Sequence, residues 1–150
     1  MKFDIFKIKS IPRLFWSSPK TLTIKPPIVS FAFLILGLII FGLGEALLIA
    51  AGVGVSPWTV FAQGLSLKTG LSLGWATFFT GCFVLLIWIP LRERPGFGTL
   101  SNIVIISAAI DFGISVFPLQ ETLIGGIASA LIGIALVGLG SALYITCGLG

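Results

Sequence analysis

Hydrophobic residues gather in four long blocks along this chain, with almost no charge inside them. Short stretches rich in Pro, Gly, Ser and charged residues separate the blocks, which cover 28–50, 71–90, 98–117 and 122–147. Each exceeds the roughly 18 apolar residues that carry a helix across hydrocarbon. A backbone in hydrocarbon must satisfy its own polar groups, so each block is expected to be a transmembrane helix. The first is too long for a signal-peptide core, and more spans follow it. Trp75 and Trp88 sit near the two ends of the second, where interfacial aromatic residues belong. The fourth is long enough to span with tilt. The expected fold class is an all-α membrane protein, a polytopic bundle with four transmembrane helices in this chain.

Composition strengthens this picture. Only 9% of residues are charged, against roughly 25% in a soluble domain, so water cannot be the solvent for most of the surface. The nineteen glycines fit a membrane protein, where Gly is more frequent in helices. Charge is clustered: Lys2, Lys7, Lys9, Arg13, Lys20 and Lys25 all precede the first span. Residues 1–27 are expected to form a basic juxtamembrane tail. Either it lies on an anionic leaflet, with Phe3, Ile5, Phe6, Ile8, Ile11, Leu14, Phe15 and Trp16 at headgroup depth, or it is a disordered leader that only sets topology. With the tail inside, the 91–97 loop places Arg92 and Arg94 on the same side, and the outer loops hold only Lys68. That asymmetry predicts a cytoplasmic N-terminus. No basic groove is present for nucleic acid.

The segment Phe41–Gly54 recurs 96 residues later as Val137–Gly150, with eight of fourteen positions identical and Gly42, Gly44, Gly52 and Gly54 matched by Gly138, Gly140, Gly148 and Gly150. Fixed glycine spacing marks an internal repeat. Three spans lie within one unit, so the second copy enters from the opposite side, as in the inverted repeats of secondary transporters. The expectation is a six-helix inverted repeat of which this chain carries the first part, with two further spans to follow.

The run "GLGEALLIAAGVGVSPWTVFAQGLSLKTGLSLG", the loop "LLIWIPLRERPGFGTLSN", the Asp111 helix and "GLGSALYITCGLG" together resemble the YczE/YyaS/YitT-type bacterial membrane proteins, most of all the YczE branch. The likeness covers about residues 31–150, and Glu45 departs from the apolar residue expected at its position. The resemblance implies a small polytopic inner-membrane protein and no particular activity.

Two acids lie inside spans. Glu45 is about 25 Å along a helix begun at Ile28, towards the outer edge of the core. It is a functional site by default unless its side chain snorkels to the interface. Asp111 is roughly 20 Å into the third span, with Ser107 and Ser115 one turn to either side on the same face. That stripe is expected to face the bundle interior, as an ion, proton or solute site or as a hydrogen-bonding strut. Both acids fall in the outer half and are expected to border one cavity and share a proton. Between the first two spans, Ser56 is placed to cap a short helix opening at Pro57 and Trp58. That helix is either re-entrant, with an anion-attracting N-terminus, or interfacial and anchored by Trp58. Small residues four apart suggest packing seams: Gly42 and Ala46; Gly138 and Ala142; and Gly125, Ser129 and Gly133. Oligomerisation through them stays open.

Catalytic signatures are missing. The chain has no histidine, which removes the commonest metal ligand and general base, and no metalloprotease, hydrolase or nucleotide-binding motif. Cys82 and Cys147 lie in apolar segments, as small apolar residues do. No enzyme activity, cofactor or metal is expected. The leading function class is a transporter or permease for a small solute or ion, the rival a non-transporting membrane scaffold that regulates another membrane protein; an intramembrane aspartyl enzyme, which would have to use Glu45 with Asp111, ranks third because no motif supports it.

Overall fold

Runs of apolar residues that close their own backbone hydrogen bonds become the helices of this protein. The computed structural model describes residues 14–19, 22–23 and 25–149, which form α1 (Ile28–Ala51), α2 (Pro57–Thr69), α3 (Leu73–Leu91), α4 (Phe97–Val116) and α5 (Leu123–Thr146). Lys2, Lys7, Lys9, Arg13, Lys20 and Gly150 lie outside the described residues. Helices α1, α3, α4 and α5 are long and apolar enough to cross a membrane. Helix α2 has 13 residues, about 20 Å, too short to span.

Local chemistry sets the helix ends. The hydroxyls of Ser56, Ser72 and Thr122 accept from the backbone N–H groups of Thr59, Trp75 and Gly125, starting α2, α3 and α5. Helix α1 stops at Gly52 (φ 70°), and α5 is followed by Gly148 (φ 63°), in the left-handed region where glycine has no Cβ penalty.

Helix α1 is the centre of the bundle. It packs on α5 and α4; α3 covers α4, and α2 leans on α3. Leu34 and Leu38 of α1 form a core with Ile106, Ile110, Cys147 and Leu149. The α1–α5 contact is antiparallel and built on glycine. The buried residues of α5 are Gly126, Gly133 and Gly140, seven apart. A Cβ on Gly140 would lie 2.7 Å from the Gly37 carbonyl oxygen, one on Gly133 3.0 Å from that of Gly44, and one on Gly126 2.7 Å from that of Ala51.

The expected seam of Gly42 and Ala46 is formed, against α4, while those expected on α5 are placed differently. Gly42 and Ala46 face α4, where a Cβ on Gly42 would come 2.6 Å from the Ala109 Cβ and one on Gly113 would strike Ala46. Gly138 has nothing within 4 Å of a would-be Cβ, and Ala142 is exposed. Gly125 serves the Thr122 cap, Ser129 is half-buried, and Gly133 meets Gly44 and Leu48 of α1. On the α1–α5 contact the close approaches recur every seventh residue of both helices, Gly37, Gly44 and Ala51 against Gly140, Gly133 and Gly126, so a four-residue spacing on α5 leaves that line.

The tail is more structured near the bundle than either expectation had it. Trp16 stacks on Phe33 with ring centroids 4.8 Å apart, and its Nε1 donates to Thr146 Oγ1 at 2.9 Å. Ser17 Oγ donates to the Thr146 carbonyl, and the Ser18 N–H to that of Cys147. The 14–18 turn thus adds partners for the carbonyl end of α5, beside the turn bonds from the Cys147 N–H to Tyr144 O and the Gly148 N–H to Ile145 O. The Gly98 N–H donates to Leu149 O, so the start of α4 lies at this same end. Arg92 and Arg94 are exposed in the loop leading into α4. Most other large apolar side chains outside the core point outward, among them Phe83, Ile124 and Leu131, as a lipid-facing surface requires.

Candidate functional site

The two acids occupy two helix starts. Glu45 is only 5% exposed, which excludes snorkelling to an interface. Its Oε2 accepts from Thr59 Oγ1 at 2.6 Å and from Ser56 Oγ at 3.2 Å. Reaching Ser56 and Thr59 from a position six residues before the end of α1 means the 52–56 loop turns back by about 9 Å along the helix. The first turn of α2 therefore folds back against α1, with Thr59 buried on Glu45 while Pro57 and Trp58 stay exposed. A helix start carries about half a positive charge, and here a carboxylate of the same chain meets it. The anion expected at the Ser56–Pro57–Trp58 turn is thus Glu45 itself.

Glu45 Oε1 makes no hydrogen bond or ion pair among the described residues, yet it is not sealed off. Two cavities meet at this side chain. One, of about 210 Å³, lies among α1, α2, α3 and α4, lined by Phe41, Glu45, Trp58, Asn102 and Ile103 among others. The second, of about 460 Å³, lies between α1, the 53–56 loop and α5, and Glu45 and Ser56 line it as well. One buried carboxylate and its capping serine are common to both.

Asp111 is built differently. Its Oδ2 accepts from Ser72 Oγ at 2.5 Å and its Oδ1 from the Gly74 N–H at 2.6 Å, so it caps the first turn of α3 from α4. Glycine at 74 is what permits this approach, because a Cβ there would collide with the Asp111 carboxylate and the Ser107 carbonyl. Ser107 Oγ donates to Ile103 O, and Ser115 Oγ to Phe112 O. Both hydroxyls are thus spent on their own helix, and Ser115 is exposed. Asp111 borders a separate cavity with Gly74, Trp75 and Phe78. The shared-proton arrangement is therefore not formed: the two acids line different cavities and hold different helices.

Thr59, Ser72 and Gly74 were not singled out from the sequence as partners of these acids. Ser72 has the signature of an N-cap ahead of an apolar run, and Gly74 stands four residues after Gly70, a spacing that by itself suggests only helix packing. Nothing in the local sequence connects either to Asp111, 37 or more residues away. Among the described residues no group of three or more His, Cys, Asp or Glu side chains is arranged to hold a metal.

Four spanning helices, a short helix folded back against α1 and two acids on helix starts define a polytopic helical membrane protein. Residues 28–150 match a family of unknown function, DUF6198. The chain belongs to that family, and its relatives are of the YczE type. It is 38% identical over 144 residues to an uncharacterized protein of Haemophilus influenzae, covering 96% of this chain and 65% of that protein. It is 33% identical to the uncharacterized membrane protein YczE of Bacillus subtilis, covering 82% of this chain and 58% of YczE, and 32% identical to YyaS of the same organism, covering 73% and 57%. The chain thus spans about three-fifths of the length of these relatives. No solved structure matches it.

Proposed function

We propose that this protein belongs to a transporter of a small solute or ion, with Glu45 as the residue that binds the moving cation or proton. One observation carries the reading: a carboxylate 5% exposed, held by the start of a non-spanning helix, with a free oxygen and a cavity on either side. Ionisable groups inside a membrane are expensive and mark conduction paths. Interrupted, inward-turned helices are how transporters build such sites.

The α1–α5 contact supports an inverted repeat behind it. A shift of 96 residues turns Gly37 into Gly133 and Gly44 into Gly140. The pairs Gly37–Gly140 and Gly44–Gly133 therefore exchange with each other, as contacts across a two-fold axis do. The basic residues that precede α1 in the sequence, and the exposed Arg92 and Arg94 between α3 and α4, favour a cytoplasmic N-terminus, and the relatives favour a bacterial inner membrane.

The test is reconstitution in liposomes loaded with a pH-sensitive dye, with an imposed pH gradient and a panel of small solutes. Glu45→Gln is expected to abolish solute-dependent proton or cation flux, while Asp111→Asn, which keeps a cap on α3, retains it. Flux equal to that of empty liposomes from folded protein overturns the reading. A scaffold that holds another membrane protein is then favoured.

A further inference from the structure

We propose that the cavity between α1, α2, α3 and α4 binds a small organic cation, a primary alkylammonium, with its charged head on Glu45. The inference rests on the reading of Glu45 as the transported species' site and names its ligand class. Charge comes first. Glu45 has no ion-pair partner among the described residues. The α2 start supplies only about half a charge, and the Ser56 and Thr59 hydroxyls are taken up by Oε2 and by one another. Oε1 remains open to receive an N–H donor. Asn102 lines the same space and makes no hydrogen bond among the described residues, but Ala46 meets Gly113, which sets Asn102 about 16 Å along α4 from the level of Glu45, so the ammonium head is held by Glu45 alone.

The rest of the lining selects against other ligands. Phe41, Trp58, Ile103, Ile106 and Ile110 make most of the wall apolar or aromatic. A bare metal ion of the calcium or magnesium kind needs about six oxygen ligands, and Thr77 Oγ1 is already donated to Leu73 O. An anion meets Glu45. An alkylammonium satisfies both parts: its head pairs with the carboxylate, its chain lies on the isoleucines, and aromatic faces attract cations. Size agrees, because the cavity is about 210 Å³ and one of roughly 150 Å³ admits benzene. An amine of about four to six carbons is the expected fit.

The test is calorimetric titration of the chain in lipid nanodiscs with butylammonium, 1-butanol and butyrate. Butylammonium is expected to bind at least about thirtyfold more tightly than either, the effect of losing a desolvated charge pair. Glu45→Gln is expected to weaken it by at least about thirtyfold. Trp58→Leu, at a half-exposed position that leaves the Glu45 contacts in place, weakens it about fivefold. Butanol binding as tightly as butylammonium, or an undiminished affinity in either folded variant, overturns the inference. Ammonium binding without flux overturns the transport reading alone. Glu45-dependent proton flux without ammonium binding overturns this inference alone.

Discussion

Gly140→Leu is expected to destabilise the bundle by about 3 kcal/mol or more, at the upper end of what overpacking does, whereas Gly138→Leu, two residues away, is expected to be close to neutral. The contrast follows from what each Cβ would meet. At position 140 it would lie 2.6 Å from the Phe41 nitrogen and 2.7 Å from the Gly37 oxygen. Both are backbone atoms of α1, so relief requires the helices to part. At position 138 nothing lies within 4 Å. In lipid, helices associate largely through van der Waals contact at close range, so separation at Gly140 also loosens Gly133 and Gly126. Thermal unfolding in detergent micelles, followed by loss of the monodisperse peak on size exclusion, checks both. Equal melting temperatures for the two variants would show that α1 and α5 do not meet through this glycine line.

Asp111→Ala is expected to lose about 2–3 kcal/mol of stability, because two charge-assisted hydrogen bonds disappear and the Gly74 N–H loses its acceptor, while Ser72 still caps α3 through Trp75 N–H. Asp111→Asn keeps an acceptor and is expected to lose less than half of that. Combining Asp111→Ala with Ser72→Ala is expected to be less than additive, since Ser72 Oγ donates to the carboxylate that has gone. Denaturant melts of the three variants check this. An Asp111→Ala protein as stable as the parent but without flux would move Asp111 from a strut of α3 into the transport path.

The bundle itself was legible because a long apolar run has few alternatives to a spanning helix. The short helix after Ser56 was legible too, since an N-cap serine before proline is a local signal. What escaped the sequence was long-range. Glu45 finds its partners 11 and 14 residues on, but only because the 52–56 loop turns inward, and no local pattern encodes that return. The placement of Asp111 beside Gly74 depends on how closely α3 and α4 approach, a property of the packed pair. The glycine line of α5 was hidden by its own composition: with glycine at 125, 126, 133, 138 and 140, several registers look equivalent until α1 selects the one spaced by seven.

The central position of α1 has a bearing on biosynthesis. The most enclosed of the five helices is made before the other four, and its glycine face stays uncovered until α5 has been made. The Trp16–Thr146 bond, spanning 130 residues, closes later still. Nascent α1 must therefore wait in the bilayer with Glu45 and its close-packing surface exposed, held by lipid or by the insertion machinery. The amino-terminal turn is locked down only when translation has reached the far side of the fourth span.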